Sequence, residues 1–247
     1  QSQRGAGLMN ERLGKTVLHV EGLSKVYGEG PTRLEALKPT TFDAVAGEVV
    51  AILGPSGSGK STLLTIAGLI NPPTAGSLTL NGKLAIKDGQ PVANLSTLRR
   101  QELGYVFQRS NLIPFLNGEE NVRLALEIDG VSTREAKERA RTLLDSLGMS
   151  GRMSAMPAKL SGGEQQRVAI ARAMIHQPSV VLADEPTAAL DSSRGRQVME
   201  LFRDSAHEHG AAVLLVTHDH RTLDLVDRVL EMEDGFLSEQ DSAVKGL

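Results

Sequence analysis

The sequence predicts an α/β fold: a mostly parallel sheet with helices packed on it, a small N-terminal antiparallel β subdomain, and an inserted helical subdomain. Three observations predict it. Short apolar runs recur, EVVAILG at 48–54, SVVLAD at 179–184 and AAVLLVTH at 211–218, each leading into a polar or glycine-rich turn. Continuous apolar, largely β-branched runs of this length read as strands buried on both faces, as in a parallel sheet. Helix-patterned stretches follow or separate them, STLLTIAGLI at 61–70 and SSRGRQVMELFRDSAHEHG at 192–210. From about Leu112 to Leu160 the pattern turns helical without such runs.

Taken in order, residues 1–14 read as an N-terminal extension, in part a cloning remnant, since Met9 is a candidate native start. Residues 15–247 read as one domain. TVLHVEGLSKVYG at 16–28 and LEALKPTTFDAVAG at 34–47 suggest short strands with turns, and SLTLNGK at 77–83 a strand ending in an Asn-Gly turn. The helical subdomain is expected over about 109–160. Within it STREAKERARTLLDSLGM starts with a capping box of Ser132 and Glu135 and ends near Gly148. For the helix over 192–210, Ser192 or Ser193 is the expected N-cap and Gly210 marks the C-terminal end.

Composition narrows the class. A net charge of −3 argues against nucleic acid as a partner. The absence of cysteine excludes disulfides and thiolate metal sites and fits a reducing cytosol. No apolar run is long enough to cross a bilayer, and no signal-peptide pattern appears.

GPSGSGKST at 54–62 matches G-x-x-x-x-G-K-[ST] between an apolar strand and an apolar-faced helix, the mark of a P-loop NTPase core. Gly54, Pro55, Ser56, Gly57, Ser58 and Gly59 let the backbone curl so that N–H groups face phosphate oxygens. Lys60 places a charge near the β- and γ-phosphates, Ser61 offers a hydroxyl to Mg²⁺, and Thr62 completes the motif. VVLADEP at 180–186 puts Asp184 and Glu185 at the end of a buried-type strand, where ligand groups of α/β sheets collect. Asp184 is placed to hold Mg²⁺ through water, and Glu185 to orient or deprotonate the attacking water.

LSGGEQQRVAIARA at 160–173 starts a well-patterned helix with Gly162 and Gly163, at about 1 kcal/mol each relative to alanine. Without side chains there, the first-turn N–H groups are open to an anion. Ser161, Gly162, Gly163 and Glu164 thus read as a second phosphate-binding element. One ATP does not need two cradles from one chain, but a second copy can supply the other.

These three motifs, in this order, resemble the nucleotide-binding subunit of an ATP-binding cassette (ABC) transporter, and the match spans nearly the whole chain. The resemblance implies a head-to-tail dimer in which each ATP lies between the phosphate loop of one copy and the LSGGE signature of the other. It implies an ATPase that uses ATP and Mg²⁺. It further implies that Tyr27 of SKVYG stacks on adenine and that Gln108 of GYVFQ senses Mg²⁺ and water. Asp191 of LADEPTAALD would lie across the dimer seam, and His218 of VTHD near the γ-phosphate. The pattern departs from common usage only at 188–189, where alanines replace Ser or Asn.

NLIPFLNGEENV at 111–122 resembles the macrolide-export and lipoprotein-release group, and THDHRTLDLVDRVLEMEDGFL at 217–237 resembles ATPases of haem-efflux pumps and glycolipid exporters. The implied partners are a second copy of the chain and an integral membrane permease, with no nucleic acid. The implied location is the cytoplasmic face of the bacterial cell membrane, and the implied cargo is a membrane amphiphile such as haem. A cell-division-type ATPase that signals across the membrane without moving cargo is the alternative. A non-transport cassette of the DNA-repair or translation kind would carry a coiled-coil insertion or a second cassette, and the sequence has neither.

Overall fold

The computed structural model describes residues 13–188, 190–218 and 220–239. The chain runs through β1 (Thr16–Tyr27), β2 (Leu34–Val45), β3 (Val49–Leu53), α1 (Lys60–Ala67), β4 (Ala75–Leu80), β5 (Lys83–Lys87) and β6 (Gln90–Pro91). It continues through α2 (Leu95–Glu102), β7 (Leu103–Val106), α3 (Gly118–Ile128), α4 (Thr133–Ser146) and α5 (Gly162–Met174). Then come β8 (Val180–Asp184), α6 (Ser192–His209), β9 (Ala212–Val216), β10 (Arg228–Glu233) and β11 (Phe236–Glu239). Of the extension expected over 1–14, residues 1–12 lie outside the described residues.

The three apolar runs are β3, β8 and β9. They sit inside a six-stranded sheet of order β11-β10-β3-β9-β8-β7, parallel except for β11 at the edge. Alternate residues of each strand feed two different cores. Val50, Ile52, Val180, Leu182, Leu214 and Val216 pack with α1 and the antiparallel strands. Val49, Ala51, Val181, Ala183, Val213 and Leu215 pack with α5 and α6 around Phe202. Both faces are covered, so polar alternation never appears in these strands. The second sheet, of order β2-β1-β4-β5-β6, is antiparallel throughout. Asn81 and Gly82 turn β4 into β5 with positive φ at both residues, the geometry an Asn-Gly hairpin turn requires.

A third core joins α3 and α4 through Val122, Leu126, Ala136, Ala140 and Leu144, and Val168, Ala171 and Ile175 along α5 close it. Two helix starts differ from expectation. Asp191, not Ser192 or Ser193, caps α6, its side chain accepting from Arg194 N. The carboxylate one residue earlier reaches the third amide of the first turn, which the serines inside the helix cannot. For α4 only half of the expected capping box forms: Ser132 Oγ accepts from Glu135 N, while the Glu135 carboxylate turns toward Arg139, 3.8 Å away. Gly210 ends α6 in the left-handed conformation, as expected.

The two sheets are tied at a buried carboxylate. Glu102, at the end of α2, accepts from Asn81 Nδ2 at 3.0 Å and Lys83 Nζ at 2.8 Å, and from the Ser179 hydroxyl. Burial pushes its pKa up, but hydrogen bonds from Lys83, Ser179 and Asn81 outweigh that and hold it below the ordinary carboxylate value. A group with a depressed folded pKa stabilises the fold above its unfolded pKa and loses that contribution as pH falls through the folded value. Glu102→Gln should therefore cost about 1.5–3 kcal/mol at neutral pH, the range for hydrogen bonds to a charged group. Urea unfolding should show that difference shrinking as pH drops below the ordinary carboxylate range. A constant difference across pH would remove the charge from the account.

Candidate active site

The loop between β3 and α1 is shaped by packing as well as by its ligand. Gly54 has φ 146 and Gly59 has φ 107. A Cβ on Gly54 would lie 2.0 Å from Met232 O of β10, and one on Gly59 would lie 2.3 Å from Ala36 O of β2. No larger residue fits at either position, whatever the loop holds. Lys60 Nζ folds back to donate to Gly54 O at 2.8 Å and Pro55 O at 2.7 Å. Ser58 is buried beneath the loop, and its carbonyl accepts from Gly235 N.

At the opposite wall, strand register places the acids. Asp184 pairs with Val216 at the ends of β8 and β9, and Glu185 N donates to Val216 O at 2.9 Å. Glu185 takes a left-handed φ of 46, a conformation that costs a non-glycine residue roughly 1–3 kcal/mol. Its Oε1 lies 2.9 Å from His218 Nδ1, two residues beyond Val216. Its Oε2 is buried with no hydrogen-bond partner. Asp184 accepts a hydrogen bond from the Ser61 side chain. Burial, then the adjacent Glu185 charge, pushes the Asp184 pKa up, while Ser61 and Lys60 act against both.

These walls enclose a cleft of ≈ 690 Å³, within the size range of small-molecule sites. It brings together Tyr27, Gly54, Pro55, Ser56, Gly57, Gly59, Lys60, Ser61, Thr62, Gln108, Asp184, Glu185 and His218. Leu34, Glu35, Ala36, Val216 and Gly235 also line it. Sequence reasoning named none of these five; Leu34, Glu35 and Ala36 arrive through β2, Val216 at the end of β9, and Gly235 in the β10–β11 turn. Tyr27 is 40% exposed at the rim, and Asn71 Nδ2 donates to its hydroxyl at 2.6 Å, fixing the ring.

The donors fit a nucleotide with a divalent cation. Two adjacent carboxylates face one lysine, and one carboxylate oxygen is buried without a partner, so added positive charge and a hydrogen-bond donor are both accommodated. No group of three or more His, Cys, Asp or Glu suited to a metal occurs among the described residues. That suits Mg²⁺, which is held by one or two carboxylates together with phosphate and water rather than by an all-protein cage.

Ser161, Gly162, Gly163, Glu164 and Asp191 do not line this cleft. Ser161 caps α5 in a full capping box: its Oγ accepts from Glu164 N, and the Glu164 carboxylate accepts from Ser161 N at 2.7 Å. The Ser161 hydroxyl also hydrogen-bonds the Glu164 carboxylate, and the Ser161 N–H, that hydroxyl and Arg152 together hold the Glu164 pKa below the ordinary carboxylate value. A Cβ at Gly162 would meet only Leu190 Cδ2 at 4.0 Å, and one at Gly163 only Arg194 carbons from 3.5 Å. Nothing among the described residues requires glycine at either position.

Between Gln108 and α3 the backbone is held by one buried amide. Asn121, fully buried, accepts from Ile113 N at 2.7 Å and donates toward Ile113 O, Leu116 O and Asn117 O. Leu112 packs onto the third core, whereas Phe115 is 76% exposed. The apolar stretch 112–115 is thus divided between core and surface. Among the described residues no helix is long and apolar enough to cross a membrane.

Comparison with known proteins gives the family. The ABC transporter family model matches residues 37–188. An uncharacterized ABC transporter ATP-binding protein of Thermotoga maritima is 42% identical over 221 residues, 90% of this chain and 93% of that protein. The lipoprotein-releasing system ATP-binding protein LolD of Legionella pneumophila is 42% identical over 223 residues, covering 90% and 96%. The macrolide export ATP-binding/permease protein MacB of Brucella melitensis is 42% identical over 227 residues, 90% of this chain but 34% of that longer protein. Among solved structures, the dimeric ATP-binding cassette MJ0796, in a post-hydrolysis state bound to ADP and Pi, has a TM-score of 0.78 at 37% identity, covering 90% of this chain and 98% of that one. With the family model matched across most of the chain and the motifs assembled in one cleft, this chain belongs to the ABC transporter family and is an ATP-binding ATPase.

Proposed function

We propose that the chain is the nucleotide-binding subunit of an ABC exporter. It dimerises head to tail around two ATP and drives a separate integral membrane permease from the cytoplasmic face of the bacterial cell membrane. The observation that carries the ATPase chemistry is the Glu185 carboxylate. One oxygen is held by His218 at 2.9 Å, and the other is buried and unpartnered at the cleft. That free oxygen accepts a proton from the attacking water, and His218 fixes the carboxylate's orientation. Lys60 and the loop amides bind phosphate, Tyr27 stacks on adenine, and Gln108 completes the cleft beside Ser61 and Asp184. Bound Mg²⁺ neutralises phosphate charge, with Ser61 and Asp184 as its protein-side ligands.

Ser161, Gly162, Gly163 and Glu164 act on the ATP of the second copy, with Asp191 at the seam. Two glycines at the N-terminus of α5 that no contact among the described residues requires support a surface that receives phosphate from outside. The dimeric cassette structure at 37% identity supports the same arrangement.

The permease meets the segment over 108–121. Support comes from Phe115, 76% exposed on a loop whose backbone Asn121 holds in place. The relatives named for lipoprotein release and macrolide export support a membrane amphiphile as cargo. Haem is the specific cargo we propose, and its ligands would lie in the permease.

Glu185→Gln should keep ATP binding and lower turnover by roughly 10²–10⁴, the usual range for a general base. In cells lacking the ATPase–permease pair, wild type but not Glu185→Gln should restore haem tolerance. Hydrolysis within a few-fold of wild type would assign the base elsewhere, and haem tolerance in the deletion strain would remove haem alone. Ser161→Arg should leave ATP binding to the monomer intact and block nucleotide-dependent dimerisation, measured by light scattering. An unaltered dimer and undiminished hydrolysis would contradict the shared site. Phe115→Glu should spare basal hydrolysis and abolish its stimulation by the permease in a reconstituted complex. Full stimulation would place the partner on another surface.

A further inference from the structure

Helix α5 begins at Ser161 and passes directly under the segment that carries Phe115. Gln165 and Arg172, seven residues apart and so on one face of α5, hydrogen-bond it to residues 110–111 of that segment, beside the packing of Leu112 on the third core. Gln165 Nε2 donates to Pro157 O and Leu160 O, both at 3.1 Å, in the turn that leads into Ser161. Its Oε1 accepts from Ser110 Oγ at 3.0 Å. A single amide therefore bonds the approach to Ser161 and the segment before Phe115 at once. Arg172 acts two turns further on. Its guanidinium donates to Asn111 O at 2.8 Å and Ser110 O at 2.9 Å, a forked grip on two successive carbonyls. Asn111 sits at φ 45, a left-handed conformation that the grip helps to hold.

We propose that Gln165 and Arg172 are positioning residues that weld the 108–113 segment to the Ser161 end of α5, so that displacement at Phe115 reaches Ser161 without passing through the cleft. The proposal rests on the permease-docking reading above. Neither residue lines the nucleotide cleft, and both lie in LSGGEQQRVAIARA beyond the Ser161–Glu164 element read as binding phosphate. Gln165 lies at the hinge of the connection because it alone touches both segments through side-chain bonds to three carbonyl or hydroxyl oxygens. Arg172 supplies the stiffness, since a fork bound to adjacent carbonyls resists both translation and twist of the loop.

The test uses the subunit reconstituted with its permease, and the isolated subunit for hydrogen exchange. Gln165→Met and Arg172→Met should each lower the ratio of permease-stimulated to basal hydrolysis by roughly three- to tenfold, what one or two net hydrogen bonds carry. Basal turnover and KM for ATP should not change. Arg172→Lys, which keeps the charge but loses the fork, should retain part of the stimulation. In the isolated subunit, amides over 108–113 and over 157–161 should exchange faster together in Gln165→Met, while those of β8 and β9 stay protected. Loosening spread across α5 and both strands would mean a merely structural role and overturn the proposal. So would unchanged exchange in either segment, or unchanged stimulation in a complex that Phe115→Glu uncouples. If Phe115→Glu leaves stimulation intact, the docking reading falls, and the exchange pattern alone decides whether the weld exists.

Discussion

The candidate site depends on the in-register parallel pairing of β3, β9 and β8. Ile52 pairs with Val216, and Val216 pairs with Asp184, so three strands end on one line. Whatever follows each strand is delivered to the same edge: the phosphate loop after β3, His218 after β9, Glu185 after β8. The bond from Glu185 N to Val216 O continues the ladder one residue past the strand and bends the backbone into the left-handed region. The strain that Glu185 carries is thus a consequence of the sheet. Burial of all three strands on both faces makes a register slip costly, because alternate side chains are committed to two different cores.

Four motif glycines divide into two kinds. Gly54 and Gly59 are required from within, since backbone carbonyls of β10 and β2 stand where a Cβ would go. Gly162 and Gly163 are not, since only side-chain carbons at van der Waals distance face them. The first pair is explained by the fold with or without a ligand. The second pair has no such internal cause among the described residues. The same helix closes the third core with Val168 and Ala171 and grips the loop at 110–111 through Arg172. A helix so occupied on its other faces leaves its N-terminal end as the part available to a partner.

Motifs were legible where chemistry demands a residue type at a spacing. The phosphate loop, the Asp184–Glu185 pair and the LSGGE turn are of that sort. β3, β8 and β9 were legible because burial on both faces leaves them apolar up to their ends, whereas β5, β6, β7, β10 and β11 are short or carry charged residues and do not read as strands. Capping was read less well. Ser192 and Ser193 have the residue type of a cap, but Asp191 has the position, and geometry decides between them. Ser132 and Glu135 have the capping-box spacing, yet Arg139 competes for the carboxylate one turn along. Such competition between neighbours of similar energy cannot be settled from residue order alone.

The sequence by itself determined the candidate chemistry: which groups suit a phosphate, which carboxylates stand at a strand end, and where apolar strands alternate with helices. These are local, because a short run of residues either has the required atoms and period or lacks them. Only the tertiary structure decided which carboxylate oxygen is left unpartnered, what holds Tyr27 and Asn111 in place, and which of the apolar residues 112–115 is turned to the surface. Each of those depends on a contact between residues far apart in the chain: Asn71 with Tyr27, Arg172 with Asn111, His218 with Glu185. Such pairs share no spacing or period, so nothing in the order of residues distinguishes them until packing has brought them together.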